Sequence, residues 1–254
     1  MNTREFQAIY VMWLRQMKRF LRFKTRLVTM IIQPLFFLFL LGSGFRQAIF
    51  PSLEGVEYFH FLAPGIIAMA ILFSSMFTGI SVLWDKQFGF LQEVLVAPVS
   101  RFSIIIGRTL GGATTALIQG FIILFIAIGM GVPVAGGFGI ILTIIFMLFI
   151  SFAAVGFGLI LASKMNYFQS FPLIMNIIIM PLLFISSAFF PVAGDKTLQT
   201  IAYANPLFYM VDGLRGSLIG EANVLPIWIS FSVVFVICII MMALGSYLFS
   251  KSEV

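Results

Sequence analysis

The chain has 254 residues, 61% of them apolar and 9% charged, and a net charge of +6. Soluble domains carry roughly a quarter charged residues, so the polar surface is too small for a water-soluble fold and much of the exterior must meet lipid. The single cysteine, Cys238, excludes an intrachain disulfide. Seven of the 15 basic residues fall in the first 26 positions, which points to a membrane surface and away from nucleic acid as the partner.

Residues 3–24 read as an amphipathic helix. Phe6, Ile9, Tyr10, Trp13, Met17, Phe20 and Leu21 recur at helical spacing, and Arg15, Lys18, Arg19 and Arg22 cover the other side. An aromatic face opposite a basic face predicts a helix lying in the membrane interface. The charged stretch is too long for a cleavable signal.

Six apolar stretches follow, near residues 27–44, 59–83, 104–130, 138–162, 171–190 and 225–249. Each approaches the roughly 20 residues that a helical span needs. Pro34 predicts a kink in the first, and Pro181 predicts a break in the fifth. Of the 15 Lys and Arg, twelve fall on the side of the N-terminus and three (Arg46, Lys196 and Arg215) on the other. That asymmetry places both ends of the chain in the cytoplasm of a cell membrane. The expectation is one all-α polytopic domain over residues 1–254. It comprises an interfacial helix at 1–25, a cytoplasmic segment at 84–101 and an extracellular segment at 191–223.

No G-x-x-x-x-G-K-[ST] phosphate loop is present, and no glycine directly precedes a lysine. With one histidine, His60, and one cysteine, neither a metal cluster nor a catalytic triad can be assembled. The centres of the spans hold no Asp, Glu, Lys or Arg, which argues against a proton-driven carrier. Their polar residues are neutral. Most read as helix–helix hydrogen-bonding groups, while Gln33, Ser74, Thr78, Gln119 and Asn176 are candidates for a weakly polar substrate lining, because a buried amide needs a partner or a wet cavity. Gly112, Ala116 and Gly120, and again Ala154, Gly158 and Ala162, recur every four residues and predict close helix packing.

Two polar segments stand out. The cytoplasmic one, WDKQFGFLQEVLVAPVSR, predicts a short helix over residues 88–96 that Pro98 stops. The external one, YANPLFYMVDGLRGSLIG, predicts a helix over residues 206–218, with Asn205 as N-cap, Pro206 at its first position and Asp212 paired with Arg215. At 13 residues it is too short to cross, and it is expected to dip into the outer leaflet as a re-entrant element.

Together these features resemble the membrane subunit of ABC-2 type transporters, a permease family that includes drug, lipid and glycolipid exporters. The resemblance covers essentially the whole chain. Its most specific stretches are residues 61–101, including the E-x-L-x-A-P-V-S-R string from Glu93 to Arg101, and ANPLFYMVDGLRG at residues 204–216. The resemblance implies that two copies of a separate ABC ATPase dock on the cytoplasmic face. Docking would fall on Asp85, Lys86, Phe88, Leu91, Gln92, Glu93, Leu95, Pro98 and Arg101. It further implies an outer gate at Asn205, Pro206, Tyr209, Asp212 and Arg215, and a second permease, expected as a homodimer. ATP and Mg would be bound by the ATPase, leaving this chain without cofactor, metal or catalytic residue. The expected substrate is amphiphilic: drug-like, lipid or glycolipid. Polysaccharide export, or a carrier or channel without an ATPase, are the alternatives.

Overall fold

A computed structural model describes residues 3–45, 53, 55–90, 94, 96, 98–192, 196–220 and 223–251, without the side chains of 26 and 27. Nine helices are defined among the described residues, and no strand. They are α1 (Thr3–Arg22), α2 (Lys24–Gly44), α3 (Tyr58–Gln87), α4 (Arg101–Gly129), α5 (Gly136–Lys164), α6 (Ser170–Ile185), α7 (Lys196–Tyr203), α8 (Pro206–Leu218) and α9 (Ile227–Lys251).

Four of them, α3, α4, α5 and α9, are long and apolar enough to cross a bilayer. The apolar part of α2, Val28–Gly44, and the 16-residue α6 are shorter. The predicted break at Pro181 is absent, because α6 runs through it to Ile185. A proline inside a helix removes one hydrogen bond without always ending it. The chain turns instead at Ser187, whose φ of 62° is the sole positive value at a non-glycine among the described residues.

α3 is the central helix, packed by α2, α4, α5 and α8. Small residues set its spacing. A Cβ on Gly112 of α4 would run into Thr78 of α3, and one on Gly79 of α3 would meet the Gly158 carbonyl of α5. The predicted small-residue stripes therefore serve contacts within one chain, where dispersion grows as backbones approach. α5 and α9 meet in the same manner at Gly156 and Gly245.

Helix length divides the bundle into layers. At about 1.5 Å per residue, the 30-residue α3 and 29-residue α4 are roughly 45 Å long. The hydrocarbon layer is about 30 Å thick. Both helices are therefore longer than that layer, and Gln87 closes α3 and Arg101 opens α4 at the same end of the bundle. There α1 packs lengthwise on α4. Trp13 Nε1 donates to Thr114 Oγ1 at 3.1 Å. Gly107 and Gly111 let the α1 backbone at Ile9 and the Gln16 side chain approach. The predicted aromatic face is split by this packing. Met12 and Phe20 are buried, while Phe6, Tyr10 and Leu21 stay exposed.

Candidate coupling face and amide-lined cleft

At the α1 end of the bundle, one carboxylate holds three guanidinium groups. Asp85 sits in the last turn of α3 and is 2% exposed. Arg15 of α1 grips it with both nitrogens, Nη1 to Oδ2 at 2.9 Å and Nη2 to Oδ1 at 2.7 Å. Arg19, one turn on, donates to Ser81 Oγ at 2.6 Å and to Asp85 Oδ1 at 3.5 Å. Arg108 of α4 is buried and brings Nη2 within 2.8 Å of Asp85 Oδ2 as an ion pair. Its Nε and Nη1 have no hydrogen-bond acceptor among the described residues. Bidentate Arg–carboxylate pairing fixes geometry as well as charge, so α1, α3 and α4 are tied together at one point. The resemblance places Asp85 on the docking surface; burial closes it inside the bundle instead.

The loop that follows is anchored at both ends. Phe88 caps α3 and Gly89 has a φ of 76°, so helical backbone resumes at Phe90 and not at Phe88 as predicted. The Phe90 ring lies under Arg15, 3.7 Å from the guanidinium carbon. At the far end Ser100 is the N-cap of α4, accepting from the Ser103 amide at 3.1 Å. Glu5 of α1 accepts from the Ser100 hydroxyl at 2.7 Å and the Ser100 amide at 3.2 Å, and from the Ser103 hydroxyl. A carboxylate there also meets the positive end of the α4 dipole. The Ser103 and Ser100 hydroxyls hold the Glu5 carboxyl below its usual range. Arg101 donates to the Ser250 carbonyl in the last turn of α9 at 2.6 Å. Lys86 is half-buried and Pro98 exposed. Phe88, Val96 and Phe102 are 68%, 85% and 65% exposed. Leu91, Gln92, Glu93 and Leu95 lie outside the described residues.

Midway along the bundle, Gln33, Gln119 and Asn176 line one cleft of about 250 Å³ between α2, α3, α4 and α6. Sequence reasoning singled out these three amides, and the fold brings them together. Pro34 explains part of the arrangement. Lacking an N–H, it leaves the Met30 carbonyl one turn earlier without its helical donor. Gln119 supplies the donor from α4, with Nε2 at 2.5 Å from Met30 O. Gln119 is buried and its Oε1 has no hydrogen-bond partner among the described residues. Gln33 and Asn176 are exposed along the chain's surface. Met30, Met69 and Met175 supply soft apolar walls. Ser74 and Thr78 are buried and outside this lining, Thr78 against Gly112.

At the opposite end, α8 is pinned by its own polar residues. Asn205 Oδ1 accepts from the Leu207 amide at 3.0 Å, and Pro206 occupies the first turn, as predicted. Asn205 Nδ2 also donates to the Leu182 carbonyl near the end of α6 at 2.6 Å. The Tyr209 hydroxyl donates to the Tyr203 carbonyl at 2.9 Å. The expected Asp212–Arg215 pair does not form, because each faces a different neighbour. Asp212 accepts from the amides of Val224 and Leu225 at 2.7 and 3.2 Å and from the Ser230 hydroxyl at 3.1 Å. Arg215 is fully buried, 3.7 Å over the Phe61 ring, with Nη2 donating to the Ser187 carbonyl at 2.6 Å and Nε to the Phe61 carbonyl at 3.3 Å. Arg108 and Arg215 were the residues whose burial sequence reasoning missed. Nothing in the local pattern around either arginine names its partner.

A polytopic helical bundle with a polar cleft between its helices, a basic end and an exposed apolar loop defines a membrane transport permease. The model of the ABC-2 type transporter family matches residues 7–219. The chain belongs to that family, whose permeases work with ABC ATPase partners. Among similar curated proteins is the ycf38 transport permease of Cyanophora paradoxa, 30% identical over 203 residues, which covers 77% of this chain and 70% of the relative. The daunorubicin resistance ABC transporter permease protein DrrB1 of Streptomyces coeruleorubidus is 27% identical over 217 residues, 82% of this chain and 74% of the relative. The inner membrane transport permease YadH of Escherichia coli is 26% identical over 238 residues, 90% and 89% respectively.

Proposed function

We propose that this chain is the membrane half of an ATP-driven exporter, with two copies of it served by two copies of an ABC ATPase that binds ATP and Mg. In this reading α2 and α6 also span, giving six crossings with both ends in the cytoplasm. Their short apolar lengths fit a span whose ends snorkel or thin the bilayer. The excess length of α3 and α4 then projects into the cytoplasm, and α8 forms a re-entrant element at the outer face with Asn205, Tyr209, Asp212 and Arg215 as its gate fastenings.

One observation carries the ATPase reading. Phe88, Val96 and Phe102 are exposed at the end where α3 closes and α4 opens, which this reading sets in the cytoplasm beyond the hydrocarbon. Lipid does not reach that level, and exposed apolar groups in water mark an interaction surface. A push on this loop reaches the spans through Arg15 and Asp85 on one side and Ser100 on the other. Export follows if ATP binding favours one permease state over another.

The substrate reading rests on the cleft of Gln33, Gln119 and Asn176. A few amides among methionine and aromatic walls suit an amphiphile, drug-like, lipid or glycolipid. The second copy would close the open side where Gln33 and Asn176 are exposed. Efflux of a fluorescent amphiphile from cells expressing the chain and its ATPase tests this. The expected result is ATP-dependent efflux reduced severalfold by Asn176→Leu. Efflux that ignores Gln33→Leu and Asn176→Leu together counts against the cleft.

A further inference from the structure

The outer side of α1 carries a feature that neither ATPase docking nor substrate passage uses. Arg15, Lys18, Arg19 and Arg22, with Val11, Leu14 and Phe23, line an open cleft of about 500 Å³. Arg15 and Arg19 form its inner wall and are held in place by Asp85. Lys18 and Arg22 are exposed and make no ion pair with the described residues. Among the described residues Asp85 is the one carboxylate paired with this group, and it also serves Arg108. Three arginines therefore share one carboxylate while Lys18 and Arg22 stand beside them, so the cleft has room and charge for an added anion.

We propose that this cleft binds the phosphate of an anionic phospholipid from the cytoplasmic leaflet. The inference rests on the orientation proposed above, which sets the Arg22 end of α1 at headgroup level, directly before α2 begins. Two observations favour a lipid over a soluble phosphate. Val11 and Phe23 are 57% and 54% exposed at the edge of the cations. α2 then leaves Val28, Ile32 and Phe36 exposed at four-residue intervals, one apolar stripe running away from the cleft. A headgroup on Lys18 and Arg22 thus has a track for its acyl chains. Arginines pre-set by a carboxylate lose little freedom on meeting a phosphate, which their planar fork matches.

The test uses the full chain in maltoside micelles doped with phosphatidylglycerol or phosphatidylcholine, with retained lipid counted by native mass spectrometry. The wild type is expected to retain phosphatidylglycerol in preference. Lys18→Gln with Arg22→Gln should weaken that retention about 25-fold, roughly fivefold for each cation removed at a membrane surface. Unchanged retention in this variant overturns the proposal, as does equal retention of both lipids by the wild type. Displacement of the lipid by millimolar inorganic phosphate would show an anion site without lipid selectivity and also overturns it. If the double variant fails to fold, Arg22→Gln alone carries the test, with about a fivefold loss expected. Retention in micelles does not depend on orientation. Labelling of Lys18→Cys in sealed vesicles separates the two claims: modification from the outside alone refutes the orientation whatever lipid is retained.

Discussion

Arg108 of α4 lies 2.8 Å from Asp85 of α3, and both side chains are closed to solvent. Breaking a buried pair by deleting one partner costs about 3–5 kcal/mol, because the other charge stays behind unpaired. Asp85→Ala strands three arginines and is expected to lower the melting temperature of the purified chain sharply. Asp85→Ala combined with Arg108→Leu should recover part of the loss. A thermal-shift series on the wild type, the single variants and the pair reads this coupling, and additive losses would show that the two residues act separately.

Gln119 and Pro34 form a second testable relationship. Gln119→Leu removes the donor that serves the Met30 carbonyl and should destabilise by about 1–3 kcal/mol, the cost of a buried group left unsatisfied. Pro34→Ala restores an N–H to α2, so Gln119→Leu should cost less in that background. The double-mutant cycle is measured by thermal unfolding. Identical costs in both backgrounds would mean that Gln119 does not substitute for the missing amide.

At the outer end, Ser187 holds a left-handed φ and its carbonyl receives Arg215. Ser187→Gly and Ser187→Ala both keep the carbonyl and lose the hydroxyl that accepts from Arg215 Nη1 at 3.3 Å, but glycine also removes the steric penalty and should be the more stable of the two by roughly 1 kcal/mol. Arg215→Ala should destabilise more than either, since it loses the bonds to the Ser187 hydroxyl and to both the Ser187 and Phe61 carbonyls. Melting temperatures in the order wild type, Ser187→Gly, Ser187→Ala, Arg215→Ala are expected.

Glu5 gives the attachment of α1 a pH dependence. Its folded carboxyl titrates below the ordinary value because hydroxyl donors favour the charged form. A depressed carboxylate contributes its stability fully above the unfolded value of 4.5 and loses it as pH falls through the folded value. Trp13 fluorescence should therefore stay constant from neutral pH to about 5 and change only in stronger acid. Glu5→Gln should remove that acid-side change.

Glu93 lies outside the described residues, in the segment that the resemblance assigns to docking. Glu93→Lys is expected to leave membrane insertion intact and to reduce ATP-dependent export at least tenfold. Export at the wild-type rate would remove Glu93 from the docking surface.

Much of this architecture is legible in the sequence because lipid imposes simple rules. Apolar runs of bilayer length disclosed the four long helices, and Asn205-Pro206 disclosed the start of α8 through local hydrogen-bonding geometry. The three amides were legible too, because a large polar group in an apolar run needs a partner. What stayed hidden were relationships between elements. Asp85 reads as a loop-edge charge until α1 is folded against it, and Arg15 is 70 positions away. Asp212 and Arg215 look like a helical pair by spacing, yet Phe61 on α3, Ser187 in the turn after α6 and the Val224–Ser230 stretch at the start of α9 outcompete the local partner. The amphipathic pattern of α1 predicted the helix but not which of its apolar residues pack on α4, since a helix surface and a membrane interface ask for the same residues.

The central claim is that the Phe88–Phe102 end receives an ATPase. The direct measurement is isolation of the detergent-solubilised chain from its native membrane, with bound proteins identified, for the wild type and for Phe88→Glu with Val96→Glu. The account predicts that a phosphate-loop ATPase accompanies the wild type and is lost from the variant while the variant stays folded. A folded wild-type chain that brings down no ATPase, or a variant that retains it undiminished, would contradict the claim.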